Sequence, residues 1–384
     1  MTVTFLTFVM FSQETLAKVK AVNFVAGVIR KHDDNLFRTE NNTKSDNLTS
    51  FHAGLKLDKK ISLQRVTAKV VISHNRYNKN DHLNFTSKAF EAAWHWALTP
   101  RLTGKLSADR TEKLNDFNDT RNTSRNVRVT QNQQFLADFN PGGGWHYLAG
   151  LSRKSLKNSN TFNEDASFSA NAVDFGVKYV FPSTSSITFM NHARKGKYDD
   201  RKINQALLFD DKYKEYESAL ALDWLLTVKS RVNVGASYLK REHDNFSKRD
   251  YSGLQGHINY DWQPTKRIKV GLNAKSILST YQTDVDSYTR KNELALKPTY
   301  ALTPKVRIKG HLDVSERKFL GSGYNAATSS SRVDGYKSAG IGVEWRPTRQ
   351  SSVELSWLRY DLNSNNNAFD YKGNVAALSG KIEF

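Results

Sequence analysis

Residues 254–278, LQGHINYDWQPTKRIKVGLNAKSIL, alternate apolar and polar side chains with a period of two. Leu254, Gly256, Ile258, Tyr260 and Trp262 fall on one phase; Gln255, His257, Asn259 and Asp261 fall on the other. After a break at 263–266 that contains Pro264, Ile268, Val270, Leu272 and Ala274 resume the apolar phase, with Lys269, Asn273 and Lys275 opposite. A helix returns to the same face only every 3–4 residues or so, so it cannot hold this pattern on one side, whereas a strand holds it automatically. Two strands joined by a tight turn make a β-hairpin, apolar on one face and polar on the other.

The unit recurs along the chain. Phe51, Ala53, Leu55 and Leu57 run into a turn at 58–60. Phe90, Ala92, Trp94, Trp96 and Leu98 run to Thr99 and Pro100, and Leu102, Gly104, Leu106 and Ala108 leave it. Phe135, Ala137 and Phe139 enter the turn 140–143, from which Trp145, Tyr147 and Ala149 depart. Connections alternate between short Pro/Gly/Thr turns and long polar stretches such as 112–125, 157–165, 194–212 and 321–331, of which 194–212 is expected to be the longest. At roughly twenty residues per strand and connection, about eighteen strands are expected.

Hydrophobic residues make up 38% and mean hydropathy is −0.62, with no eighteen-residue apolar run for a membrane helix. A membrane barrel tolerates that average, because only alternate strand residues meet lipid. A propeller also repeats short strands, but the short/long alternation with aromatics ringing one end fits a barrel better. In lipid the sheet must close, since an open edge would strand its backbone polar groups. The expectation is an all-β, transmembrane, antiparallel up-and-down barrel over 21–384 in a bacterial outer membrane, with short periplasmic turns and long extracellular loops. Trp94, Trp96, Trp145, Trp224, Tyr260, Trp262, Tyr300 and Trp345 are expected to form an interfacial girdle among the outer-membrane lipids. Ala376, Leu378, Gly380, Ile382 and Phe384 are in phase and end on an aromatic, as a closing strand read by the barrel-assembly machinery does. Residues 1–20 read as a signal peptide, atypical in that no Lys or Arg precedes the apolar run 5–11, which puts the start site in question.

Residues 23–38, NFVAGVIRKHDDNLFR, resemble the opening of EpsL-like, exosortase-associated exopolysaccharide-biosynthesis outer-membrane proteins, within the broader β-barrel porin type 2 group. The run Asp33-Asp34-Asn35-Leu36-Phe37-Arg38 carries the resemblance, and the turns at 262–265 and 345–348 match in style. It implies a barrel that helps an exopolysaccharide cross the outer membrane alongside other export components, and it brings no catalytic residues.

If the apolar phase faces lipid, the polar phase lines the lumen. Lys105, Lys178, Lys269, Lys275, Lys297, Arg307, Lys309 and Arg317 are placed there, with Glu91, Asp174, Glu217, Asp223, Asp261, Glu293, Asp313 and Glu344 among them. These charges either pair across strands and stiffen a wet wall, or form a mildly basic channel for an acidic or polar polymer. The formal charge of +19 and pI near 9.7 agree with an anionic partner, though much of the excess lies at the short turns. Asp33, Asp34 and Asn35 read as a capped strand end rather than a cation site. The ten histidines lack ligand spacing and there is no cysteine, so neither a metal nor any other cofactor is expected. Aromatics beside turns read as a lipid interface, not as a nucleic-acid platform. Three functions stand at this point: polysaccharide export, general diffusion of small solutes, and, without a converging Ser, His and acid to support it, an outer-membrane enzyme.

Overall fold

The computed structural model describes residues 21–118, 123–160, 166–325 and 332–384; residues 1–20, where the signal peptide is expected, lie outside them. Eighteen antiparallel strands form one sheet. In order they are β1 (Val22–Asp33), β2 (Asp46–Ile61), β3 (Gln64–Tyr77), β4 (Phe85–Thr99), β5 (Leu102–Leu114) and β6 (Val127–Gly142). Then follow β7 (Trp145–Asn158), β8 (Phe168–Val180), β9 (Ser186–Tyr198), β10 (Lys212–Thr227), β11 (Ser230–His243) and β12 (Tyr251–Trp262). The last are β13 (Ile268–Thr280), β14 (Tyr288–Ala301), β15 (Val306–Leu320), β16 (Val333–Trp345), β17 (Ser351–Ser364) and β18 (Tyr371–Glu383). Each strand pairs with its chain neighbours, and β1 pairs with β18 from Val25 opposite Glu383 to Asp33 opposite Val375. The barrel is closed, as a sheet in lipid must be.

The apolar phase faces outward. Phe51, Leu55, Val70, Ile72, Phe175 and Leu254 all remain 45% or more exposed, an area that water would not tolerate but lipid accepts. Trp94, Trp145, Trp224, Trp262, Tyr300 and Trp345 stand exposed beside the short turns. Trp96 departs from the expected girdle. It lies over Gly104, stacked on Phe135 at 5.8 Å, and is only 8% exposed. A Cβ on Gly104 would come within 2.2 Å of the Trp96 ring, so the missing side chain is what lets the indole lie down.

The strands run 12 to 16 residues, longer than the 9–11 or so needed to cross lipid. Their hydrogen-bond ladders continue past the headgroups, where no apolar signal marks them. The connection expected over 194–212 therefore shrinks to 199–211, and that expected over 112–125 becomes 115–126. The hairpin of β12 and β13 also departs from regularity. Its ladder holds only between Gly256–Trp262 and Ser276–Val270, and beyond it the Gln255 side-chain carbonyl accepts the Leu278 N–H at 2.9 Å. A side chain takes over from the backbone there, so the obligatory donor is still satisfied.

The closing seam is held at both ends. At the short-turn end Phe24 and Phe384 exchange backbone hydrogen bonds of 2.7 and 3.0 Å, and their rings stack at 5.8 Å. At the other end Asp33 receives a bidentate pair from Arg38, both bonds 2.9 Å, and the Tyr360 hydroxyl at 3.0 Å. Asp34 accepts the backbone and side-chain N–H groups of Asn374 at 2.7 and 2.8 Å, while Asn35 donates to the Lys372 carbonyl at 2.9 Å. The reading of 33–35 as a turn-capped strand end is thus extended: the run staples the first strand to the last two.

Candidate functional site

The polar phase points inward and lines the lumen. In register, Lys269 stands opposite Thr299, Gly271 opposite Lys297 and Lys275 opposite Glu293, and the same face continues through Thr299 and Lys309 to Gly342. The eight cations placed there by the sequence divide into two groups. Lys275 is bound to Glu293 at 2.8 Å, Lys309 to Glu354 at 2.8 Å and to Glu344 at 3.4 Å, and Arg307 lies 3.9 Å from Glu344. Arg317 is 9% exposed at the long-loop end, bonded to Asp334 at 3.0 Å with its guanidinium 4.6 Å from the Phe319 ring centroid, so it is not a free lumenal charge. Lys105, Lys178, Lys269 and Lys297 enter no ion pair among the described residues. All four lie within a few residues of the short turns, on β5, β8 and the adjacent β13 and β14, and form a sparse basic set near the periplasmic end of the barrel.

Other inward polar side chains are partnered. His146 meets Asp138 at 2.7 Å, His192 meets Asp174 at 2.6 Å, and Arg231 meets Asp223 at 2.6 Å. Nearer the long loops Arg241 donates to Glu215 at 2.7 and 2.9 Å, with its guanidinium 3.9 Å from the Tyr213 ring. Arg194 bonds the other oxygen of the same carboxylate. Lys154 stands within electrostatic reach of both arginines and of Asp109. The sequence reading missed Arg194, Glu215 and Arg241. They continue the inward phase of β9, β10 and β11 beyond the apolar stretch, and extending each alternation by two or three residues finds them.

Long connections fold over the mouth. Phe117, in the connection 115–126, meets Phe37 edge-on at 4.9 Å and is buried with Leu36, Leu83 and Tyr77. From the same connection Asn118 accepts the Tyr371 hydroxyl at 3.0 Å, and Asp116 lies within electrostatic reach of Tyr336. Tyr371 begins β18 and Tyr336 belongs to β16, so a segment that leaves from β5 crosses inside the mouth past β1–β4. The sequence reading expected any constriction from such loops and named 194–212; among the described residues the inward crossing is made by 115–118. Each of these segments carries a few apolar residues in a polar context (Leu36 and Phe37, Leu83, Phe117, and Phe209 among others in 199–211), and that signal marks which of them pack.

On the opposite side Arg249 is fully buried. It donates to the carbonyls of Leu207, Leu208, Thr283 and Asp286 at 2.9, 3.3, 2.8 and 2.6 Å. Burial and the nearby Arg201 push its pKa down to about 10, which leaves it a cation at neutral pH. Asp210, in the same connection, accepts the backbone and side-chain N–H groups of Asn245 at 2.6 and 3.0 Å. Although burial opposes its charge, these bonds hold its carboxyl below the usual range. Connections 199–211, 244–250 and 281–287 are thereby fixed to one another. Among the described residues no group of three or more His, Asp and Glu side chains is placed to hold a metal.

The unpaired set makes a direct prediction. Changing Lys105, Lys178, Lys269 and Lys297 together to Glu should move ion preference from anions towards cations, because each exchange reverses a charge that no neighbouring carboxylate cancels on a wet wall. The reversal potential across a salt gradient in a planar bilayer should shift accordingly. Lys275→Gln should shift it much less, since Glu293 already cancels that charge. An unmoved reversal potential in the fourfold variant would mean that the set does not face the ion path.

Against known proteins, residues 222–384 match a family described as "Putative beta-barrel porin 2". No curated protein sequence matches. Among solved structures the fold is similar to Pseudomonas aeruginosa OccK1 (OpdK), with a TM-score of 0.54 and 9% identity over 94% of this chain and 99% of that one. Pseudomonas aeruginosa OccK9 (OpdG) gives 0.51 and 11%, covering 94% and 98%. Pseudomonas aeruginosa OccK2 (OpdF), solved in complex with glucuronate, gives 0.52 and 9%, covering 95% and 98%. The chain is a porin-like β-barrel of the bacterial outer membrane.

Proposed function

We propose that this outer-membrane barrel is a diffusion channel for small polar solutes, with a mild preference for anions, and that it performs no catalysis. The observation that carries the reading is the segment 115–118, which crosses the mouth to Tyr371 and narrows it. A channel constricted in this way suits molecules of the size of a sugar acid better than a polymer chain. Glucuronate, bound by the structurally similar OccK2, is a solute of that kind. The paired charges of the wall keep it wet without holding any one solute tightly, and Lys105, Lys178, Lys269 and Lys297 supply the bias. Export of exopolysaccharide, suggested by the likeness at residues 33–38, draws little support from that run itself, because its side chains staple the barrel seam and do not face cargo.

Liposome swelling with purified protein tests this. Monosaccharides and small sugar acids should enter, with the acids faster than neutral sugars of the same size, and long dextrans should be excluded. If small sugars fail to enter while a deletion strain loses its secreted polysaccharide, the export reading replaces this one.

A further inference from the structure

We propose that the outer face of β9 and β10, just above the lipid belt, binds the phosphate groups of a lipopolysaccharide molecule in the outer leaflet. In register, Lys195 stands directly opposite Lys214, and Lys197 directly opposite Lys212. Directly opposed residues share a face, and on these strands the alternate positions (Arg194, Gly196 and Tyr198; Tyr213 and Glu215) belong to the lumenal side, so all four lysines point outward. Next to them in β8, Asn171 pairs with Lys195 and Ser169 with Lys197, and in β7 Arg153 pairs with Asn171. The result is a patch of cations and hydrogen-bond donors across four strands, roughly 15 Å wide at the usual strand spacing.

Like charges directly opposite each other destabilise a sheet. Two such pairs stacked on one hairpin therefore call for a countercharge. The chain supplies it only in part: Lys214 lies 3.1 Å from Asp244 and directly opposite Glu242, Lys212 lies 3.9 Å from Asp211, and Asp199 accepts the Ser169 hydroxyl at 3.1 Å. Arg153, Lys195 and Lys197 have no ion-pair partner among the described residues. Several other outward cations at this level are matched within the sheet, whereas Arg290 stands directly opposite Lys318. Lys337 stands opposite Asp361, which also faces Lys372; Lys318 is 3.2 Å from Glu316 and Lys240 is 2.6 Å from Glu242.

Height decides the ligand. The row below the lysines pairs Ala193 with Tyr216, in the next the Ser218 hydroxyl donates to the Asn191 side-chain carbonyl at 2.7 Å, and beneath that come Phe189 with Leu220 and Ile187 with Leu222. An apolar wall that gives way to one polar pair, an aromatic and then cations fits a molecule with acyl chains below and phosphates above. On the side of the long connections such a molecule is the phosphorylated glycolipid of the outer leaflet. Asn171 and Ser169 are placed to hydrogen-bond its sugars.

The test uses the full chain in lipid-free detergent and diphosphoryl lipid A as the probe, with binding read by native mass spectrometry and by the shift in thermal unfolding. The variant K195Q/K197Q/K212Q/K214Q should bind on the order of a hundredfold more weakly, since each surface cation contributes to headgroup attraction. Without lipid it should unfold at no lower temperature than the wild type, because the repulsion is gone. K195Q/K214Q should fall between the two and carries the test if the fourfold variant does not fold, and K337Q/K372Q should bind as the wild type does. Unchanged affinity in the lysine variants, equal binding of lipid A stripped of its phosphates, or full competition by millimolar inorganic phosphate would each overturn the assignment, the last by pointing to a simple anion site.

Discussion

Replacing Arg249 by methionine is expected to release three long connections at once while leaving the barrel closed. The guanidinium is fully buried and donates to four backbone carbonyls, two from 199–211 and two from 281–287, from a position in 244–250. Methionine keeps most of the volume and none of the donors. Even if water reaches some of these carbonyls, leaving them without partners should cost about 3–5 kcal/mol of loop order. That corresponds to an opening equilibrium raised roughly a hundredfold or more. Lysine should restore the charge but satisfy fewer carbonyls, and so recover only part of the loss. Hydrogen exchange in 199–211 and 281–287 should accelerate, and chymotrypsin should begin to cut there on intact membranes, while the migration of the folded barrel on unheated gels stays unchanged. Protection equal to wild type in both connections would show that their packing does not depend on this residue. Asp210 gives a second handle on the same region. Its carboxyl is held below its ordinary pKa, so its contribution is fully present above the unfolded value and fades as pH falls through the lower, folded one. Acid should therefore loosen 199–211 from 244–250.

How much of this could be read beforehand follows from what lipid enforces. A strand in a bilayer must alternate, so the hairpin 254–278, the strand count and the lumenal face of Lys105, Lys178, Lys269 and Lys297 were all legible. Beyond the headgroups nothing apolar marks the outward phase. β9 continues through Lys195 and Lys197, which read as loop, and Arg194 was lost with them. Pairing was not legible at all. That Lys275 is neutralised and Lys269 is not depends on which residue stands opposite, Glu293 for one and Thr299 for the other. A sequence fixes that register only once the turns are placed to the residue. Arg249 was out of reach for another reason. Its partners are carbonyls, which every residue has, from connections more than thirty residues away. Trp96 shows the limit of the alternation itself: the phase put it outward, and the absent side chain at Gly104 decided that it lies flat.

The seam offers the other large effect. β1 and β18 meet last in the chain, and no turn joins them, so their pairing is held only by the ladder and its two ends. Asp33 is 1% exposed and takes four hydrogen bonds, two from Arg38, one from Tyr360 and one from the Asn35 backbone N–H. Arg38 also lies over the Tyr360 ring at 4.2 Å. Arg38→Met should strand a buried carboxylate and destabilise the closed barrel by about 3–5 kcal/mol. Asp33→Asn should cost less, because an amide can still accept from the tyrosine. The double variant should be less destabilised than Arg38→Met alone, since it removes the unpaired charge along with its partner. The temperature at which the folded species disappears from unheated gels orders the three, with Arg38→Met lowest. If instead the double variant falls lowest by the sum of the singles, the two residues act independently and the seam is not held by their pairing.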